Sequence, residues 1–229
     1  MQQLLDALPT TTICSDLLKA AKGGDLQKVK DYLSKDADIN YSEWYDGTPL
    51  HAAAKGGFIN IVSLLLERAD IDPNKETMFN GDTPLHSAAS GGRLAIVQLL
   101  LERTDIDPNI KNENGDTLLH SASRGGNPNI LQLLLERTQI DPNSVNKNGD
   151  TLLHSASRGG DPNILQLLLE RTEIDPNSVN KNGDTLLHSA SRGGDPKILQ
   201  LLLERTEIGP NSVNKPCLIP TEFRNMSFR

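Results

Sequence analysis

The sequence predicts an all-α solenoid of about six helix-turn-helix units with projecting β-hairpin loops, and three observations support this prediction. All five histidines occupy one slot of a recurring Thr-x-Leu-His motif, and the intervals between successive histidines are 35, 34, 34 and 34 residues. A double glycine and a leucine-rich run follow each motif. Hydrophobic residues make up 36% of the 229 residues but aromatic residues only 3%, so aliphatic layers must form the core. A fixed period of about 34 residues is typical of units that stack in a line, because one unit cannot bury its apolar face alone.

Residues 151–184 show how one unit forms. Thr151 is a natural N-cap, because its hydroxyl can accept a hydrogen bond from a free amide of the first helical turn. Gly159-Gly160 ends this helix, and we expect one glycine there in the left-handed conformation. Asp161-Pro162 caps and starts a second helix, since proline is tolerated at the first helical position. Asn182-Gly183 marks a tight turn that leads back to the next capping threonine.

The same frame extends upstream of the first histidine. Leu18 stands in the histidine slot and Ser15 replaces the capping threonine, while the second helix is more polar than its equivalents. A terminal unit needs such a polar face, because one of its sides meets solvent. The chain is therefore predicted to divide into an N-terminal extension, an N-terminal capping repeat, five repeats and a non-repeat tail, at residues 1–14, 15–46, 47–215 and 216–229.

The pattern resembles the ankyrin repeat. It shares the Thr-Pro-Leu-His opening, small residues after it, glycine between the helices, Ile/Val-x-Leu-Leu-Leu and then Asp-x-Asn, with residues 48–74 and 83–109 fitting best. From the third histidine onward the proline is replaced by leucine, at Leu118, Leu152 and Leu186. The resemblance implies that each histidine bonds the threonine of its own repeat and backbone groups of a neighbouring hairpin. These structural histidines are His51, His86, His120, His154 and His188.

Catalytic, cofactor and metal sites are not predicted. Neighbouring helices pack about 8–10 Å apart, whereas zinc ligands approach the ion within about 2 Å, so adjacent histidine slots cannot share an ion. The double glycines lack the Gly-Lys-Ser/Thr ending of phosphate loops. Asp141 and Asp175 lack the spacing of calcium loops. We therefore expect a protein that is not an enzyme.

Composition limits the partners and the compartment. The net charge of −7 disfavours non-specific binding to nucleic acid or to anionic membranes. No stretch approaches 18 apolar residues, and the N-terminus lacks the pattern of a signal peptide. Cys14 and Cys217 lie far apart, which fits a reducing compartment. We expect a monomer in the cytoplasm, with the nucleus as the alternative.

A row of basic residues defines one candidate binding surface. The position before each double glycine is held by Lys22, Lys55, Ser90, Arg124, Arg158 and Arg192. An acidic or phosphorylated partner would meet several charges at a regular spacing. Two alternatives stay open. The cations could merely complement the helix dipole, or the aspartates that end each hairpin could neutralise them and make the surface zwitterionic.

Aromatic residues define a second candidate surface. Only eight residues are aromatic, yet the first two hairpins contain Tyr41, Trp44, Tyr45 and Phe79, together with Met78. Aromatic side chains on projecting loops are good anchors for a partner, although packing between the two hairpins would explain them equally well.

The sequence therefore predicts a non-catalytic protein-binding module or adaptor, which binds through the concave helix face and hairpin tips. The alternative is a recognition or scaffold fragment of a larger signalling or immune-receptor-like protein.

Overall fold

The computed structural model describes residues 10–170, 174–205 and 208. The predicted tail at 216–229, with Cys217, lies outside these residues, and the predicted domain boundaries stay a prediction. The described residues form two compact units, the first ending at Glu113 and the second beginning at Asn114.

Each unit consists of three helix pairs. The first unit contains α1 (Thr10–Gly23), α2 (Leu26–Leu33), α3 (Pro49–Gly56), α4 (Ile59–Leu66), α5 (Pro84–Ser90) and α6 (Leu94–Leu101). The second unit contains α7 (Leu118–Arg124), α8 (Pro128–Arg137), α9 (Leu152–Gly159), α10 (Pro162–Leu169), α11 (Leu186–Gly193) and α12 (Pro196–Glu204). In both units the first helices of successive pairs pack against each other, and so do the second helices. The predicted all-α repeat solenoid is confirmed.

Local signals explain where the helices begin. The N-cap of α9 is Thr151, and Asp161 caps α10 by accepting from the Asn163 amide at 2.8 Å, as the sequence predicts. The expected role of Ser15 as an N-cap is wrong. Helix α1 begins at Thr10, so Ser15 lies inside the helix, and its hydroxyl donates to Glu43 Oε1 at 2.9 Å.

The core is aliphatic and repeats from pair to pair. In the pair α3–α4, Leu50, Val62 and Leu65 are fully buried, and the same layer recurs in later pairs. The leucines that replace proline at the start of α7, α9 and α11 are also fully buried. Within the double glycines, the second residue is left-handed in five of six cases. The expectation of a left-handed glycine at Gly159-Gly160 is wrong, because Gly159 belongs to α9 and Gly160 is extended with φ −83° and ψ 172°.

Short hairpins connect the pairs. In hairpin 1 (residues 43–47), Glu43 and Gly47 exchange both backbone hydrogen bonds, and in hairpin 2 (residues 77–82) the Thr77 amide donates to the Asp82 carbonyl at 2.9 Å. Each hairpin ends directly before the threonine that caps the next first helix, so hairpin residues lie beside the ends of these helices. Among the described residues, no helix is long and apolar enough to cross a membrane.

Candidate functional site

At His51, His120 and His154 the histidine slot joins one repeat to the next. The Thr48 backbone N–H donates to His51 Nδ1 at 3.1 Å, which places the proton of the neutral ring on Nε2. His51 Nε2 then donates to the Asp82 carbonyl of the next hairpin at 2.9 Å. In the second unit, His120 and His154 make the equivalent bonds to the carbonyls of Asp150 and Asp184.

Burial keeps these rings neutral. It lowers the pKa of His51 to about 4, against the ordinary 6.5, and it also lowers the pKa of His120 and of His154. Both ring nitrogens of these three residues are committed to hydrogen bonds inside the protein. Across the residues that the structure describes, no group of three His, Cys, Asp or Glu side chains is placed to hold a metal ion.

The arginines of the basic row form ion pairs inside their own repeats. Arg124 contacts Asp116 at 2.9 Å, and the same pair recurs between Arg158 and Asp150 at 3.0 Å and between Arg192 and Asp184 at 2.6 Å. In each pair the aspartate stands directly before the capping threonine and eight residues before the arginine.

Two of these aspartates, Asp116 and Asp150, also bind an asparagine of the next hairpin. Asn180 Nδ2 donates to Asp150 Oδ1 at 2.7 Å, and Asn146 Nδ2 donates to Asp116 Oδ1 at 2.8 Å. Burial alone would raise the pKa of Asp150, but the bonds from Asn180 and Arg158 outweigh it and the pKa lies below its usual range. Within the second unit, the basic row is therefore neutralised by buried carboxylates, and partner contact by Arg124, Arg158 and Arg192 stays a prediction.

The first unit departs from this pairing. The position before Thr48 is Gly47, and the carboxylate stands one residue earlier, where both oxygens of Asp46 accept from Lys22 Nζ at 2.8 Å. Lys55 is exposed, and no described carboxylate lies within 4.0 Å of its ammonium.

The next repeat departs in the opposite sense. It keeps the acid, Asp82, but has Ser90 in the basic slot. The Asp82 carboxylate accepts from two amides instead, from Asn112 Nδ2 at 2.7 Å and from Asn80 Nδ2 at 2.8 Å. The Ser90 hydroxyl turns back to the Ser87 carbonyl of its own helix.

These departures surround a cavity of about 540 Å³, which we call the N-terminal cavity. Helices α1, α3 and α5 and hairpins 1 and 2 line it, and the lining residues that matter below are Lys22, Tyr45, Asp46, Lys55, Phe79 and Asp82. The Tyr45 and Phe79 rings contact each other with centroids 4.8 Å apart, so the two hairpins do pack together. The rings nevertheless remain 74% and 54% exposed.

The cavity gathers some of the predicted contact residues and leaves others outside. Tyr45, Lys55 and Phe79 line it. The remaining residues of this surface, which do not belong to its lining, are Tyr41, Trp44 and Met78. Trp44 and Met78 are exposed on the same two hairpins.

Sequence reasoning missed Asp46. It noted Ser90 only as the polar member of the basic row, and it treated Asp82 only as one of the neutralising aspartates. The signal was present in the order of two residues, because hairpin 1 ends Asp-Gly-Thr where the later hairpins end Gly-Asp-Thr.

Comparisons with known proteins agree with the repeat pattern. A family model described as ankyrin repeats (3 copies) matches residues 17–112, 70–146 and 119–214. The chain is 48% identical to inversin of Danio rerio over 56 residues, which are 24% of this chain and 6% of inversin. It is 40% identical to serine/threonine-protein kinase 12 of Arabidopsis thaliana over 58 residues, 25% of this chain and 13% of the kinase. It is 42% identical to the 2-5A-dependent ribonuclease of Mus musculus over 62 residues, 27% of this chain and 8% of the ribonuclease. The chain therefore matches only a small part of each of these relatives.

Proposed function

This chain belongs to the ankyrin-repeat family, and we propose that it acts as a non-catalytic protein-binding module or adaptor that holds its partner at the N-terminal cavity. Ankyrin repeats are general protein-protein interaction modules. The observation that carries the proposal is the exposed aromatic pair, Tyr45 and Phe79, at the edge of that cavity.

The exposure of large apolar side chains on the first two hairpins supports this location. Monomeric proteins rarely expose several large apolar side chains together unless the patch binds something. The first two hairpins expose Trp44, Tyr45, Met78 and Phe79, whereas in the described part of the second unit the exposed large apolar side chains of the hairpins are single valines, Val145 and Val179. Aromatic side chains bury a large area with little loss of conformational entropy, so they suit the centre of an interface.

A second candidate function is recognition or scaffolding within a larger signalling or immune-receptor-like protein. The observation that favours it is the small share of each relative that aligns, between 6% and 13%. Immunoblotting of a native extract with an antibody against this chain separates the two candidates, because a 25.0 kDa band supports an independent module and a much larger band supports a fragment.

The proposed module acts as a monomer in the cytoplasm, with the nucleus as the alternative location. Light scattering coupled to size exclusion checks the mass of the particle, and microscopy of a fluorescent fusion checks the compartment.

The binding proposal is tested by affinity capture with three versions of the chain. The wild type is compared with a Tyr45→Ala/Phe79→Ala variant and with a control, Val145→Ala/Val179→Ala, which removes two exposed apolar side chains from the second unit. Circular dichroism confirms that all three are folded. We expect the first variant to lose partners that the wild type and the control both retain. Partners that remain bound to all three versions would show that the cavity is not the binding surface.

A further inference from the structure

We propose that the N-terminal cavity receives a protein segment that carries one carboxylate next to an apolar side chain, and that the Lys55 ammonium binds this carboxylate. This inference rests on the proposed function, because it names the chemistry of the partner held at the cavity. It follows from the way in which the first two repeats break the ion-pair pattern of the later ones.

Lys55 lacks the aspartate that pairs with the equivalent arginine in the second unit. Arg124, Arg158 and Arg192 each contact the aspartate eight residues before them. Eight residues before Lys55 stands Gly47, and the displaced Asp46 is engaged by Lys22 of the preceding repeat. An ammonium offers three N–H donors, and no hydrogen bond from Lys55 Nζ to a described residue is found.

The Asp82 carboxylate, by contrast, already has hydrogen-bond donors. Its two oxygens already accept from Asn112 and Asn80. Both oxygens of Asp82 therefore already have donors, whereas the Lys55 ammonium has no acceptor among the described residues. The Lys55 ammonium is the charged group of this lining without a partner among the described residues, so the ligand group that completes it is an anionic acceptor.

Charge favours a carboxylate over a phosphate. The cavity already holds the carboxylates of Asp46 and Asp82, and its four charged side chains sum to zero. A phosphorylated side chain carries about −1.5 to −2 charges at neutral pH and is best held by several donors or by arginine forks. A single unpaired lysine, in a cavity that also contains two carboxylates, suits a single negative charge. The net charge of −7 also opposes a long acidic run, because such a run would be repelled by the protein as a whole.

The aromatic pair supplies the second half of the recognition. Tyr45 and Phe79 line the same cavity as Lys55, and their exposed rings offer an apolar surface to a neighbouring side chain of the ligand. A segment with one Asp or Glu and a nearby Leu, Ile, Met or Phe satisfies both surfaces at once.

The experiment is selection of a phage-displayed random dodecapeptide library on the full chain. Four versions are used in parallel, namely wild type, Lys55→Glu, Ser90→Arg and the control Arg158→Ser. Ser90→Arg restores the arginine that pairs with the preceding aspartate in later repeats and fills the space beside Asp82. Arg158→Ser makes the reverse change in the second unit. Thermal unfolding followed by circular dichroism confirms that each version is folded.

We expect wild type and Arg158→Ser to enrich peptides with one acidic residue beside an apolar residue. Lys55→Glu should enrich basic residues at that position, and Ser90→Arg should enrich no such motif. The best wild-type peptide is then synthesised with its acidic residue as Asp, Asn or phosphoserine. The Asn version should bind about tenfold more weakly, as expected for loss of a charge-assisted hydrogen bond, and phosphoserine should bind no more tightly than Asp.

The outcomes separate this inference from the function on which it rests. Enriched peptides without an acidic residue, or an acidic motif that survives Lys55→Glu, would overturn the carboxylate site. If Tyr45→Ala/Phe79→Ala still abolishes binding of those peptides, the proposed function stands. A motif that survives both kinds of variant would overturn the site and the function together, and a wild type that enriches no motif would overturn the carboxylate site. Tighter binding of the phosphoserine peptide would assign the cavity to phosphate instead.

Discussion

Replacing His51 with glutamine should flatten the pH dependence of folding in the first unit. His51 is buried and neutral, and its pKa in the folded state is about 4 against the ordinary 6.5. Glutamine is the favourable substitute, because Gln at the third helical position normally accepts from the N-cap amide in a capping box. The variant therefore removes the titrating group, and it can keep the bond from the Thr48 amide that His51 Nδ1 accepts.

The sign follows from which state binds protons. Between pH 6.5 and about 4, the unfolded chain protonates this histidine and the folded chain does not, so acid favours unfolding. The contribution to stability is fully present above pH 6.5 and is lost as the pH falls. The full difference corresponds to about 3 kcal/mol, of which about 2 kcal/mol is lost between pH 7 and pH 5.

The assay is urea unfolding at pH 7 and pH 5, followed by circular dichroism and by the fluorescence of Trp44, the single tryptophan of the chain, which lies in hairpin 1. The drop in unfolding free energy between the two pH values should be about 2 kcal/mol smaller in His51→Gln than in wild type. Some drop should persist, because burial also lowers the pKa of His120 and of His154. Leu50→Ala, in the same helix, should lower stability at both pH values without changing the drop. Equal drops in wild type and His51→Gln would refute the account of a buried neutral histidine.

Three further substitutions test the scaffold, each by urea unfolding at pH 7 beside a matched control. Asp150→Ala should cost about 2 kcal/mol, because the buried Asn180 amide keeps only its 3.3 Å bond to Asp184 Oδ2 and the Arg158 guanidinium loses its ion pair. Arg158→Ala should cost about 1 kcal/mol, since that guanidinium is 34% exposed and Asn180 still donates to the carboxylate. Equal costs would contradict this asymmetry. Ser155→Ala/Ser189→Ala should raise the unfolding free energy of the second unit by about 1 kcal/mol per site, because both hydroxyls are buried without a partner. The control Ser123→Ala should give no gain, because the Ser123 hydroxyl donates to the Leu119 carbonyl. Gly47→Ala should lower the unfolding free energy more than Gly126→Ala does. Both glycines are left-handed, but only at Gly47 would an added Cβ meet a neighbour, Thr77 Cγ2, at 2.7 Å. A similar loss at both positions would show that hairpin 1 relaxes around the added Cβ.

The helices could be predicted from the sequence because their determinants are local. The capping threonines, the Asp-Pro helix starts and the glycine stops all act within one helical turn, and they place α9 and α10 correctly. Ser15 shows where local signals fail. Its capping propensity is real, but Thr10-Thr11-Thr12 extends the helix in the N-terminal direction, so the serine lies in the helix interior and uses its hydroxyl on Glu43.

The sequence predicted which residues share the candidate surface but not which of its cations are paired. Spacing revealed that Lys55 and the three arginines share one register, and exposure of the hairpin aromatics followed from their position in projecting loops. Spacing did not reveal which of these cations are neutralised, because the pairing aspartate stands eight residues away, across a helix start, and no helical i,i+4 rule covers that distance. The transposition of Asp46 and Gly47 is visible in the sequence, but its consequence becomes clear only once the later aspartates are seen to be buried beneath arginines.

The contrast between the two units indicates that the proposed binding site results from the loss of ion pairs that the second unit keeps. The repeats that begin at Thr117 and Thr151 differ at only two of 34 positions, and both keep the complete set of Arg, Asp and histidine contacts. In such a repeat the arginine and the aspartate already neutralise each other, and little charge remains to distinguish one ligand from another. In the first unit the acid of one repeat has moved and the base of the next is missing, so an ammonium is freed and space is opened beneath Tyr45 and Phe79. The histidine contacts, which set the spacing between repeats, persist at His51. The histidine bonds the backbone carbonyl of the hairpin aspartate, whereas the ion pair uses its carboxylate. The ion pair can therefore be lost while the histidine bond is kept. Restoring the pair with Ser90→Arg should therefore cost the protein its ligand and not its fold.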